Sequence, residues 1–132
     1  MNRHAMLTIA SLVSILLFTF HLADDIVRGF EKGGLSNLTA LPIFVVWLYG
    51  TLVLGERRSG YIIMLFGALL ALGVPFLHMR GKGVGEIARS SGGFFFVWTL
   101  LALGATGLFS IILSIHGLWS LPWRRRTSVR NN

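Results

Sequence analysis

Four long stretches of this chain carry no Asp, Glu, Lys or Arg: Met6 to Ala23, Leu38 to Gly55, Tyr61 to Leu77 and Gly93 to Trp123. A helix that is apolar around its whole circumference cannot present a polar face to water. A bilayer-spanning helix needs about 20 such residues. Composition agrees, with 54% hydrophobic and only 13% charged residues in 132, against about 25% charged in a soluble domain. Mean hydropathy is +0.72. The expectation is an all-α integral membrane bundle of four transmembrane helices, in one domain over 1–132. The helices are predicted near 5–28, 38–56, 60–78 and 92–121, with a basic tail at 124–132.

The polar links carry the breaks. Gly33-Gly34 interrupts the chain after the first run, and Ser36 or Asn37 can cap the second helix. Pro42 falls within about one turn of that helix start, where a missing N–H costs little. Trp47 and Tyr49 lie mid-segment and read as packing residues. Glu56 to Gly60 is short, so the second and third helices should form an antiparallel hairpin. Pro75 should kink or end the third helix just before His78. Met79 to Gly92 reads as a polar loop, with Ser90-Ser91 available to cap the last helix. Its Gly81-Lys82-Gly83-Val84-Gly85 run lacks the spacing of a phosphate loop and follows a helix instead of a strand. The last run is long enough to tilt, kink near Gly104 or Gly107, or protrude. Pro122 stops it, and Trp119 and Trp123 mark a water interface.

Small residues predict where helices meet. Gly67-Ala68-Leu69-Leu70-Ala71 is one such pattern, and Thr99, Thr106, Ser110, Ser114 and Gly117 form a second stripe at helical spacing. On the first helix, Leu7, Ser11, Ser14, Phe18, His21, Asp25 and Arg28 follow in alternating steps of four and three. They therefore share one face, which should turn inward.

That face ends in the candidate polar cluster, His21, Asp24, Asp25 and Arg28, with His78 at similar depth on the third helix. Three readings compete. One is structural: His21 and Asp25 form a hydrogen-bonded pair, with Arg28 closing the stack. A second is a metal site, because His and carboxylate at i, i+4 can share an ion and His78 can add a ligand. A third is haem held by His21 and His78. An ion- or proton-coupled transporter calls for an ionisable group deep in a span, whereas Ser14 is the one polar residue from Leu12 to Leu16. The aromatic run Phe94-Phe95-Phe96, with Trp47 and Trp98, reads as packing and interface anchoring.

Four spans bring both termini to one side, together with Arg3, Arg57, Arg58, Arg124, Arg125, Arg126 and Arg130. The other side keeps Arg28, Lys32, Arg80, Lys82 and Arg89, and four of the five acids. The positive-inside rule then places both termini in the cytoplasm, and the expected location is the plasma (inner) membrane of a prokaryote. A signal peptide is disfavoured, since His21-Leu22-Ala23 puts a bulky residue where cleavage wants a small one.

The net charge of +7 sits in links and tail, so the expected partners are the bilayer and anionic lipid headgroups, contacted by Arg124, Arg125 and Arg126, with no nucleic acid. With no Cys, thiolate zinc, iron–sulfur and Cys-nucleophile chemistry are excluded. No catalytic set is recognisable, and no cofactor is required by the sequence. The function expected is therefore a non-catalytic subunit or bundle acting through helix–helix and lipid contacts, as a homo-oligomer or within a larger membrane complex.

Overall fold

The structure is a computed structural model that describes residues 2–29, 40–80 and 84–121. Among the described residues it is all-helical: α1 (Arg3–Val27), α2 (Ala40–Leu52), α3 (Arg58–Arg80), α4 (Val84–Arg89) and α5 (Gly93–Ser120). Three of these, α1, α3 and α5, are long and apolar enough to cross a membrane, and α2 is a shorter apolar helix.

Local chemistry sets the helix ends. The Asn2 side chain accepts from the Ala5 N–H at 2.8 Å, satisfying one of the free donors of the first turn. Past Val27 the chain leaves the helix through Gly29 at φ 75°. Before α5 the same left-handed geometry falls on Gly92, which is the N-cap, with φ 74° and no side-chain cap. Ser90 and Ser91 therefore do not cap this helix. Ser90 instead donates to the Ile87 carbonyl at 2.7 Å, closing the end of α4.

Several predicted boundaries are corrected. The loop after the third run contains the six-residue α4. The described part of the second helix, Ala40–Leu52, ends four residues before the expected 56. It closes with Val53 and Leu54 N–H both reaching the Tyr49 carbonyl, at 2.9 and 3.3 Å, so that the chain can turn back into α3. The third helix runs Arg58–Arg80, close to the expected 60–78, and of the two outcomes expected at Pro75, a kink or an end, it does not end there. Pro75 is buried and lies against α5 at Gly104, and this packing holds the segment helical past the lost hydrogen bond. Tyr49 is exposed and only Trp47 is buried. The candidate cap Ser36-Asn37, and the tail with Trp123, Arg124, Arg125, Arg126 and Arg130, lie outside the described residues.

α5 is the hub, packing along both α3 and α1, while α2 leans on α3 and α1. Tyr61, at the start of α3, lies against Gly117, at the end of α5, and Arg3 at the start of α1 hydrogen-bonds His116. α1 and α3 thus run in one direction and α2 and α5 in the other, and the start of α1, the α2–α3 turn and the end of α5 share one end of the bundle. The predicted hairpin is present, with the Trp47 indole lying over Gly67.

The distribution of polarity is inverted relative to a soluble protein. Ser11, Ser14, Thr51, Thr99, Ser110 and Ser114 are buried, whereas Leu16, Phe66, Leu77 and Phe94 are exposed. Close packing of backbones explains the inside. A Cβ on Gly107 would stand 2.9 Å from Leu72 N and 3.0 Å from Ala68 O, so α3 and α5 touch through their main chains. Where larger side chains enter, Ile15, Trp47, Ala71 and Leu103 form an apolar core midway along the bundle.

Candidate functional site

Three helix ends build the polar cluster at the end of the bundle away from Arg3. α1 supplies His21 and Asp25, one turn apart on the inward face. α3 supplies His78, which reaches this place because the helix does not stop at Pro75. α5 supplies Phe96 and Thr99, three residues apart, as the wall behind them. His21 is 2% exposed, and the Asp25 and His78 side chains are 13% and 26% exposed.

The two imidazoles meet directly. His21 Nε2 lies 3.1 Å from His78 Nε2. Asp25 Oδ2 stands 3.7 Å from His21 Nε2 and 3.6 Å from His78 Nε2. These two separations exceed hydrogen-bond length, so the expected His21–Asp25 hydrogen bond is replaced by a His21–His78 contact. The expected role of Arg28 is corrected as well. Its guanidinium donates to Asp24 Oδ2 at 2.6 Å, Ser90 Oγ at 3.0 Å and the Ser91 carbonyl at 3.3 Å. The reason is geometric: Asp24 and Arg28 are also at i, i+4, and their face looks toward the α4–α5 turn.

Aromatic contacts lock the arrangement. The Phe96 ring, fully buried, has its centroid 4.9 Å from that of His21 and 5.4 Å from that of His78, and the Arg28 guanidinium sits 5.8 Å above it. Thr99 orients His21 from the other side. Its hydroxyl donates to the Phe95 or Phe96 carbonyl at 3.0 Å, so toward His21 Nδ1, 3.5 Å away, it acts as acceptor. That places the ring proton on Nδ1 and leaves a lone pair on Nε2, facing His78 and Asp25.

The ligand atoms of His21, Asp25 and His78 form the one group of this kind among the described residues. Their chemistry suits a cation. Haem is not accommodated, because two axial imidazoles stand roughly 4 Å apart, twice a metal–nitrogen bond, whereas these nitrogens touch at 3.1 Å with Phe96 packed against both rings. The remaining histidines are elsewhere: His116 bonds Arg3, and His4 lies 4.0 Å from Glu56, both at the opposite end. Midway between, Ser11 Oγ accepts from Trp47 Nε1 at 2.9 Å and pairs with Thr51 Oγ1 at 2.8 Å, a structural knot joining α1 to α2.

Sequence reasoning named His21, Asp24, Asp25, Arg28 and His78, and the structure brings all five to one end. It did not connect Phe96 or Thr99 to them. The available signal was their i, i+3 spacing on the small-residue face of α5. No protein-family model, curated protein or solved structure matches this chain.

Proposed function

We propose that this protein is a four-span integral membrane protein with both termini in the cytoplasm, acting as a non-catalytic binding subunit whose polar centre lies near the outer face. The observation that carries the reading is the inverted polarity: hydroxyls inside, large apolar side chains outside, over helices of membrane length. A soluble fold with such a surface would aggregate, whereas lipid covers it at no cost. The fourth span is α2. Its described part, thirteen residues, covers about 20 Å of a core about 30 Å thick, and the apolar residues that flank it in the sequence, back to Leu38 and on to Gly55, complete the span.

Orientation follows from charge. The end holding Arg3, Arg57 and Arg58 also receives the tail by sequence, and positive links favour the cytoplasm. This suits the plasma (inner) membrane of a prokaryote. A coupled transporter is less well supported, since no Asp or Glu lies within the apolar runs and the middle of the bundle is packed with Ile15, Ala71 and Leu103. Exposed apolar faces leave room for a second copy or a larger membrane complex.

Single cysteines at positions 2, 57 and 131, and a fourth at position 82, test this in intact cells with an impermeant thiol reagent. The first three should be protected and the fourth labelled. Labelling of positions 2 and 131 on opposite sides, or labelling of all four alike, removes the four-span reading.

A further inference from the structure

We propose that His21, Asp25 and His78 together bind one divalent first-row transition-metal ion, with Zn2+ as the best fit, at the junction of α1, α3 and α5. This names the ligand class of the binding centre above and rests on that reading of this end of the bundle.

The atoms His21 Nε2, His78 Nε2 and Asp25 Oδ2 form a triangle with sides of 3.1, 3.6 and 3.7 Å. A point equidistant from all three is about 2.0 Å from each, the bond length of zinc to imidazole or carboxylate. The two ring nitrogens hydrogen-bond each other, and neither draws Asp25 Oδ2 to the about 2.8 Å of a charge-assisted hydrogen bond. Here the oxygen keeps nearly the same distance from both nitrogens, as ligands around a shared ion do. Two imidazoles and one carboxylate with a further position for water is a known set for Zn2+ and for non-haem Fe2+. It is too nitrogen-rich for Mg2+ or Ca2+, which want oxygen.

The surroundings fit. The Thr99 hydroxyl lies 3.5 Å from His21 Nδ1, placed to accept from an Nδ1–H, the outer contact that metal-bound histidines generally make when Nε2 binds the ion. Phe96 fixes both ring planes. The Arg28 guanidinium is held by Asp24 and the α4–α5 turn. Entry is past His78, the most exposed of the three ligands, and therefore from the end of the bundle that the proposed topology turns outward. The ion cannot continue inward, because Ile15, Ala71, Leu103 and Trp47 close the middle. The site holds its ion instead of conducting it.

The test uses full-length protein without a histidine tag, purified in detergent, stripped with a chelator and titrated with Zn2+ against a chromophoric competitor. One Zn2+ per chain is expected. His78→Ala and Asp25→Asn should each weaken binding by at least about 100-fold, and Thr99→Val, which touches no ion, by about tenfold. His4→Ala and His116→Ala should bind as the parent does. Circular dichroism reports whether each variant folds. Should the ligand variants unfold, Co2+ in the parent decides: an intense visible band of low-coordinate, nitrogen-ligated Co2+ upholds the site, and a weak six-coordinate aquo-like spectrum overturns it. Absence of stoichiometric Zn2+ in the parent also overturns it, as does parent-like binding by folded His78→Ala, or loss of binding in His4→Ala or His116→Ala. Cysteine labelling reads the topology independently, so failure of the metal site and failure of the four-span reading are separate results.

Discussion

At the residue scale, Arg28 shows how neighbouring acids divide their work. Asp25 turns inward with the two histidines, and Asp24, one position earlier, faces Arg28 across the helix end. The side chains of that pair are 16% and 17% exposed, so water screens it only in part. Arg28 also ties α1 to the turn before α5 through Ser90 and Ser91, and it caps the Phe96 ring. Arg28→Ala should therefore lower stability by about 1–3 kcal/mol, the range for a charge-assisted hydrogen bond whose partner is left behind. Thermal unfolding in detergent measures it, and the double variant with Asp24→Asn should be less than additive. A melting temperature equal to the parent's would show that the pair is only a surface contact.

At the element scale, the hairpin of α2 and α3 separates two uses of glycine. A Cβ on Gly67 would overlap the Trp47 indole, whereas nothing lies within 4 Å of one built on Gly73. Both glycines are interior to α3. Gly67→Ala should thus cost about 1–3 kcal/mol through overpacking, and Gly73→Ala should be neutral or stabilise by up to about 1 kcal/mol through helix propensity. Unfolding of the two variants in the same detergent provides the comparison. Equal effects would mean that α2 does not pack on α3 through Trp47. The indole is also pinned by Ser11, so displacing it loosens the α1–α2 contact as well.

At the scale of the whole molecule, the basic tail and the positive turn are proposed to act together at one membrane face. Each Arg near an anionic surface contributes about 1 kcal/mol, less as salt rises. Replacing Arg124, Arg125 and Arg126 with Ser should reduce the preference of the reconstituted protein for phosphatidylglycerol over phosphatidylcholine vesicles, and the reduction should fade at high salt. It should also raise the fraction of chains labelled at position 131 from outside. No change in either readout would make the tail a solvated end with no part in orientation.

The sequence alone determined the class of the molecule, because hydropathy is additive along the chain. Runs without charge announce apolar helices wherever they fold, and the steps of three and four through Ser11, Ser14 and His21 announce which face turns inward. The nearness of His78 was legible in outline, since alternating helices bring the ends of α1 and α3 together. Three things depended on the tertiary structure. The first is the passage of α3 through Pro75, decided by packing against Gly104 rather than by the proline itself. The second is the end of α2 at Leu52, decided by how soon the chain must turn back at Gly55. The third is the choice of partners in the cluster: His21 with His78, Asp24 with Arg28, Thr99 behind the imidazole. Helical spacing brought both Asp24 and Asp25 within reach of Arg28 and could not choose between them. Only the placement of α3 and α5 against α1 decided which carboxylate faced the histidines and which faced the turn.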